Sequence, residues 1–248
     1  MNKLLTIFIL TIHLSAWAND QRFSAANEQY SKNEFEQAAT AYEDILKTGV
    51  ESEALYFNLG NAYYKQGQLP QAILNYERAL LLDPDDKDIL YNLELANSQT
   101  ADRIVPLGEF FLTAWIKGII NKGTSDFWAW TAIWAFLICV IFAAVYVYMT
   151  NPGVKKGAFY TSMIMLLVVI LSVTFASTQK QQLTERKYGI VFTPSVTVKS
   201  SPDISGTDIF VIHEGVKVKI LEKLGSWNKI QLKDGSEGWL QESAVVII

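Results

Sequence analysis

Side chains able to do covalent or metal chemistry are few in this chain and far apart. There is one cysteine, Cys139, and there are two histidines, His13 and His213. Nucleophilic catalysis needs a nucleophile, a base and an orienting group within hydrogen-bond reach. Cys139 sits inside a long apolar run and His13 in the first 18 residues, so neither can join such a group in the polar parts of the chain. A disulfide within one chain and a multi-cysteine metal site are both excluded. His213, between Ile212 and Glu214, reads as a surface strand residue. Neither glycine-rich phosphate-loop pattern occurs. Asp83, Asp85 and Asp86 cluster around Pro84, but nothing supplies the spaced oxygen ligands of a calcium loop. They read as a junction between helices. With a net charge of −4 there is no basic footprint for nucleic acid. The expectation is a chain with no enzymatic activity, no cofactor and no metal.

The rest of the sequence describes parts that hold things. Half of the 248 residues are hydrophobic and the mean hydropathy is +0.15, which fits polar domains attached to a membrane segment. Two apolar runs, 127–149 and 158–177, contain no charged residue. Each is near the ~20 residues a helix needs to cross the hydrocarbon core, and neither has a polar face. Asn151, Pro152 and Gly153 break the pattern, so the runs form a hairpin around a loop at 150–157. No carboxylate, histidine, lysine or arginine sits at mid-depth in the runs, which predicts an anchor and not an ion or proton path. Residues 1–18 carry Lys3, an apolar stretch from Leu4 to Leu14 and the Ala16-Trp17-Ala18 pattern, which reads as a signal peptide cleaved before Asn19. Counting crossings puts 150–157 in the cytoplasm and both polar parts outside it. This predicts a bacterial inner-membrane protein with two spans and two periplasmic domains. Residues 106–120 read as an amphipathic helix in the interface, within a linker at 101–126.

Positions 19–100 show an internal period of 34. Tyr30, Phe35, Gln37, Ala38, Tyr42 and Glu43 align with Tyr64, Leu69, Gln71, Ala72, Tyr76 and Glu77. The second copy continues through Tyr56, Leu59, Gly60, Tyr63, Ala79 and Pro84. On these residues the segment resembles the tetratricopeptide repeat. The first copy is degraded, with Arg22, Ala25, Ala26 and Gln29 in place of the aromatic, Leu, Gly and Tyr. A third copy, from Asp88 to Ala96, stops after one helix, giving two repeats and a closing helix. The resemblance implies a groove that binds extended peptides of protein partners. Carried over by position, that groove holds Asn27, Asn58, Asn61, Tyr64, Lys65 and Asn92. Phe23 and Asp88 stand where some family members place carboxylate-binding bases, so a clamp for a C-terminal carboxylate is not expected.

From 188 to 248 the pattern turns to short strands separated by turn signals, after a polar tether at 178–187. The Gly215-Val216-Lys217-Val218 step, the Gly225-Ser226-Trp227 turn and the Gly238-Trp239 pair make this segment similar to a bacterial SH3 domain. That resemblance implies peptide or cell-wall contact, with peptidoglycan among the ligands and Trp227 and Trp239 as ligand-face candidates. The expected fold class is therefore multidomain: an all-α tetratricopeptide repeat unit, a transmembrane α-helical hairpin and a small all-β SH3-like barrel. The order of parts resembles BatE-type proteins of the Bacteroides aerotolerance operon. This implies an inner-membrane scaffold or adaptor in an aerotolerance, oxidative or envelope stress system, with von Willebrand A-domain membrane proteins as partners. The alternative reading is a cell-wall sensor that relays through the hairpin.

Overall fold

The computed structural model describes residues 20–108 and 110–248. The signal-peptide reading of 1–18, with His13, lies outside the described residues. The chain divides into two compact units. One holds the described residues up to Leu82 together with Asp86–Leu107 and Lys187–Ile248; the other holds Gly108–Arg186 and the short Asp83–Asp85 segment.

In the first unit, five helices carry the repeats: α1 (residues 20–31), α2 (Phe35–Leu46), α3 (Glu53–Lys65), α4 (Leu69–Leu82) and α5 (Lys87–Ser98). The 34-residue period is visible in the backbone. Asn33 and Gly67 both take positive φ, 64° and 75°, and turn the chain between the two helices of each repeat. Ser52 and Asp86 cap α3 and α5 by accepting from the first-turn amides. Gly60 lets α3 and α4 cross closely, since a Cβ there would lie 2.7 Å from the Tyr76 ring. Ala26 fills the equivalent place in the first copy and is fully buried. The apolar stripes of α1, α2 and α3 close one core around Tyr42, Ile45, Leu55 and Leu59.

The same unit contains the β domain. Its strands are β1 (Tyr188–Val191), β2 (Ser195–Lys199), β3 (Asp208–His213), β4 (Lys217–Leu224), β5 (Trp227–Gln231), β6 (Glu237–Gln241) and β7 (Val245–Ile247). They form one antiparallel sheet in the order β3-β2-β6-β5-β4-β1-β7. Alternating residues fill its core, among them Val191, Val198, Val218, Ile230 and Leu240. Residues Ile190 and Ile248 point the other way, and both belong to the repeats' second core with Ile73, Tyr76, Ile89 and Leu93. The repeats and the β domain are therefore one packed body, whereas the sequence suggested two modules. The cause is the pleat: successive residues of β1 face opposite sides, and both sides are apolar.

The second unit holds α6 (Phe111–Ile120), α7 (Ser125–Tyr148) and α8 (Pro152–Glu185). Helices α7 and α8 are long and apolar enough to cross a membrane. They meet along small residues, with Ala132, Ala135, Ala158 and Ser172 buried, while Trp134, Phe136, Ile141, Leu167 and Ile170 remain exposed. Three boundaries differ from the sequence reading. The hairpin connection is short, because Pro152 starts α8 with its missing N–H at a position that needs none, and Asn151 caps Gly153 and Val154. The tether expected at 178–187 is the end of α8, which runs to Glu185 before Arg186 turns at φ 38°. The helix expected over 106–120 starts at Phe111 and not at 106. Residues ahead of it run along the β domain, where Leu107 N–H donates to the Lys233 carbonyl at 3.0 Å. The end of α6 is fixed, as the Ile120 carbonyl accepts from Trp128 Nε1 at 2.9 Å and from Gln179 Nε2 at 2.8 Å.

Candidate functional site

The groove residues fall into two copies of one arrangement, 34 positions apart. Asn27 Oδ1 accepts from the Tyr42 hydroxyl at 2.6 Å and from Asn58 Nδ2 at 3.0 Å. Asn61 Oδ1 accepts from the Tyr76 hydroxyl at 2.8 Å and from Asn92 Nδ2 at 2.8 Å. Each tyrosine rises from the second helix of its repeat and each asparagine pair links successive first helices. Burial holds these phenols neutral, pushing Tyr42 up to about 12 and Tyr76 upward in the same sense. Both lone pairs of Asn27 and Asn61 are thus used inside the repeats, and their Nδ2 donors are not part of these contacts.

A pocket of about 210 Å³ opens beside the second copy. It brings together four of the sequence candidates, Asn61, Tyr64, Lys65 and Asn92, and adds Tyr30, Tyr76 and Leu95. Asn27 and Asn58 do not line it. The Tyr64 hydroxyl accepts from Gln99 Nε2. Lys65 and Leu95 are exposed, so the pocket offers a cation, amide groups and an apolar wall. Tyr30 was legible, being the 34-residue counterpart of Tyr64; Leu95 was not, because its place depends on how α5 packs.

Trp227 and Trp239 are both half-buried, on the face of the sheet opposite the core residues Asn228, Ile230 and Leu240. Lys229 lies opposite Trp239, and Trp227 opposite Gln241, so the two rings are diagonal neighbours on β5 and β6. Lys199 flanks Trp239 from β2. Neither tryptophan is part of the β core.

Residues that join the repeats to the β domain were not legible. Lys217 Nζ lies 2.6 Å from Glu77 Oε2, with the Glu77 side chain only 10% exposed, and it also sits 4.8 Å from the Tyr188 ring centroid. Arg78 donates to the Ile247 carbonyl at 2.9 Å. His213 is not a free strand residue: its backbone N–H donates to Asp102 Oδ2 at 2.6 Å and its Nδ1 lies 2.9 Å from Oδ1. Gly215, at φ 87°, lies against Thr100. These partners are more than a hundred residues apart, and no local pattern marks them.

A family model described as the TPR repeat matches residues 60–99. A second, described as the bacterial SH3 domain, matches residues 194–246. The second repeat with the closing helix, and the β domain, are thus each recognisable on their own. No curated protein matches the chain.

Proposed function

We propose that this chain is a membrane-anchored, non-catalytic adaptor that captures a protein partner in the groove of its repeats. The observation that carries this reading is the pocket formed by Asn61, Tyr64, Lys65, Asn92 and Leu95 on a TPR scaffold. An extended peptide could pair with the amides there, place an apolar side chain on Leu95 and an acidic one on Lys65. Helices α7 and α8 provide the anchor. Segments from before and after them pack into one body, which requires an even number of crossings. With the signal-peptide reading of 1–18, that body is periplasmic. The Trp227–Trp239 face supports contact with wall peptides or peptidoglycan, consistent with the bacterial SH3 match. The resemblance to BatE-type proteins suggests an aerotolerance or envelope-stress system, with von Willebrand A-domain membrane proteins as the partners. The connection between α7 and α8 is very short, which leaves little on that side for a sensor to relay through.

The test is capture of partners from membranes by the full chain and by Lys65→Glu/Leu95→Asp. Both positions are exposed, so the fold should survive. The expected result is loss of the partner, while Trp227→Ala/Trp239→Ala keeps it and loses binding to isolated peptidoglycan. If no captured protein depends on the groove, so that the groove variant behaves as the native chain, while peptidoglycan is still bound through Trp227 and Trp239, the adaptor reading gives way to a wall-binding sensor.

A further inference from the structure

A second cavity, of about 170 Å³, lies away from the groove, where α5, the segment after it and the β domain meet. Arg103, Lys217 and Lys233 bring three cations to its lining, and Asp102 the one carboxylate. The acceptors around it are already engaged. One Asp102 oxygen accepts from the His213 backbone N–H at 2.6 Å and the other lies 2.9 Å from His213 Nδ1. The Asn97 carbonyl accepts from the Thr100 hydroxyl at 2.8 Å. The Val216 and Lys233 carbonyls accept from the Val191 and Leu107 amides, both at 3.0 Å. Asp234, next to Lys233, is turned to the Ser236 amide. The strong donors are not engaged. Among the described residues, the Arg103 guanidinium and the Lys233 ammonium have neither a hydrogen bond nor an ion pair. Elsewhere in the β domain Lys199, Lys217, Lys223 and Lys229 each face a carboxylate. The backbone holds the two free cations at the cavity. Arg103 lies between Asp102, bonded to His213, and Ile104, which packs on the β core. Lys233 follows the buried Leu232, and its own carbonyl is bonded to Leu107.

We propose that this cavity binds a phosphodiester group, with Arg103 and Lys233 as counter-ions and the Asn97 amide as a further donor. Two like charges that share a small cavity repel, and an anion between them removes that cost. Lys217 is balanced by Glu77, and Asp102 offsets one of the remaining cations. One positive charge is left over, which the single charge of a phosphodiester matches. The donors arrive from three directions: from α5, from the segment after it and from the turn between β5 and β6. A tetrahedral oxyanion offers acceptors to all three, whereas a planar carboxylate suits an arginine fork on one side. The site exists because the β domain packs on the repeats, and it does not rest on the groove reading.

The probe is dimethyl phosphate, titrated into the full chain in micelles of a phosphate-free maltoside detergent and followed by the Ile104 and Gly215 amide signals. Saturable displacement in the millimolar range is expected. Arg103→Gln and Lys233→Gln should each weaken binding roughly tenfold, the value of one charge-assisted hydrogen bond. Both side chains are exposed, so melting should not change. Lys219→Gln, which removes a β-domain cation outside the cavity, should leave binding as it was, and so should Lys65→Glu/Leu95→Asp. Acetate, with the same charge and a planar head, should bind several-fold more weakly. Phosphatidylglycerol that competes with dimethyl phosphate for the same signals would make a lipid headgroup the source of the diester. Binding of dimethyl phosphate without that competition would make it a soluble diester. No saturable displacement, affinity unchanged in both Arg103→Gln and Lys233→Gln, or equal affinity for acetate would each overturn the proposal.

Discussion

The pair formed by Glu77 and Lys217 ties the repeats to the β domain, and its removal tests whether the two act as one body. Lys217→Met keeps most of the aliphatic stem over Tyr188 and removes the charge. Glu77 then keeps a carboxylate that is 10% exposed and has lost its cation at 2.6 Å. Breaking a buried pair from one side costs about 3 kcal/mol, because the remaining charge stays desolvated. Removing both charges with Glu77→Leu/Lys217→Met should restore most of that loss, as neither ion then needs desolvation. The assay is amide hydrogen exchange of the full chain in micelles, followed on α4 and on β1 and β4. A loss of about 3 kcal/mol is roughly a hundredfold rise in the open population. It should reach α4 and the strands together, because Ile190 and Ile248 sit in the same core as Ile73 and Tyr76. Faster exchange confined to β4, with α4 unchanged, would refute the single body. So would a double variant as unstable as Lys217→Met alone.

Two further outcomes follow from the same packing. Gly215→Ala places a Cβ 2.7 Å from Thr100 Cγ2 at φ 87°, whereas Gly225→Ala, at φ 59°, meets nothing within 4 Å. Both should carry strain of about 1 kcal/mol, and urea unfolding should find Gly215→Ala the worse of the two by at least as much again. Tyr42 is raised by burial to about 12, so its neutral form is favoured in the folded state. Its contribution is complete below the ordinary phenol value of about 10 and is lost as pH rises from there through 12. Thermal melts between pH 9 and pH 11.5 should therefore fall more steeply for the native chain than for Tyr42→Phe.

Much of the architecture was legible because it is periodic. The period of 34 located the helix pairs, and the Asn27–Tyr42–Asn58 and Asn61–Tyr76–Asn92 clusters repeat with it. Residue type alone could not tell that the asparagine oxygens are turned inward to tyrosines, since the same amides could serve a peptide. Strand positions followed from alternation or from short apolar runs between turn signals, and β7, Val245–Ile247, is the strand the sequence reading did not place. Breaks were over-read: Pro152 opens a helix, and the polar end of α8 is helical because its Gln, Thr, Lys and Glu residues cost a helix little.

The amino-acid sequence by itself determined the inventory: two repeats with a closing helix, two apolar helices and a β domain, with little material for chemistry. Those properties are written in local periodicities of 3.6, 2 and 34 residues, which do not depend on what packs against them. Only the tertiary structure decided that the repeats and the β domain share a core. It also decided that Glu77 meets Lys217 and that Asp102 meets His213. Those facts depend on which faces meet across more than a hundred residues of chain, including a hairpin that carries no trace of either partner. Apolar burial and charge complementarity select that meeting, and neither has a period along the sequence.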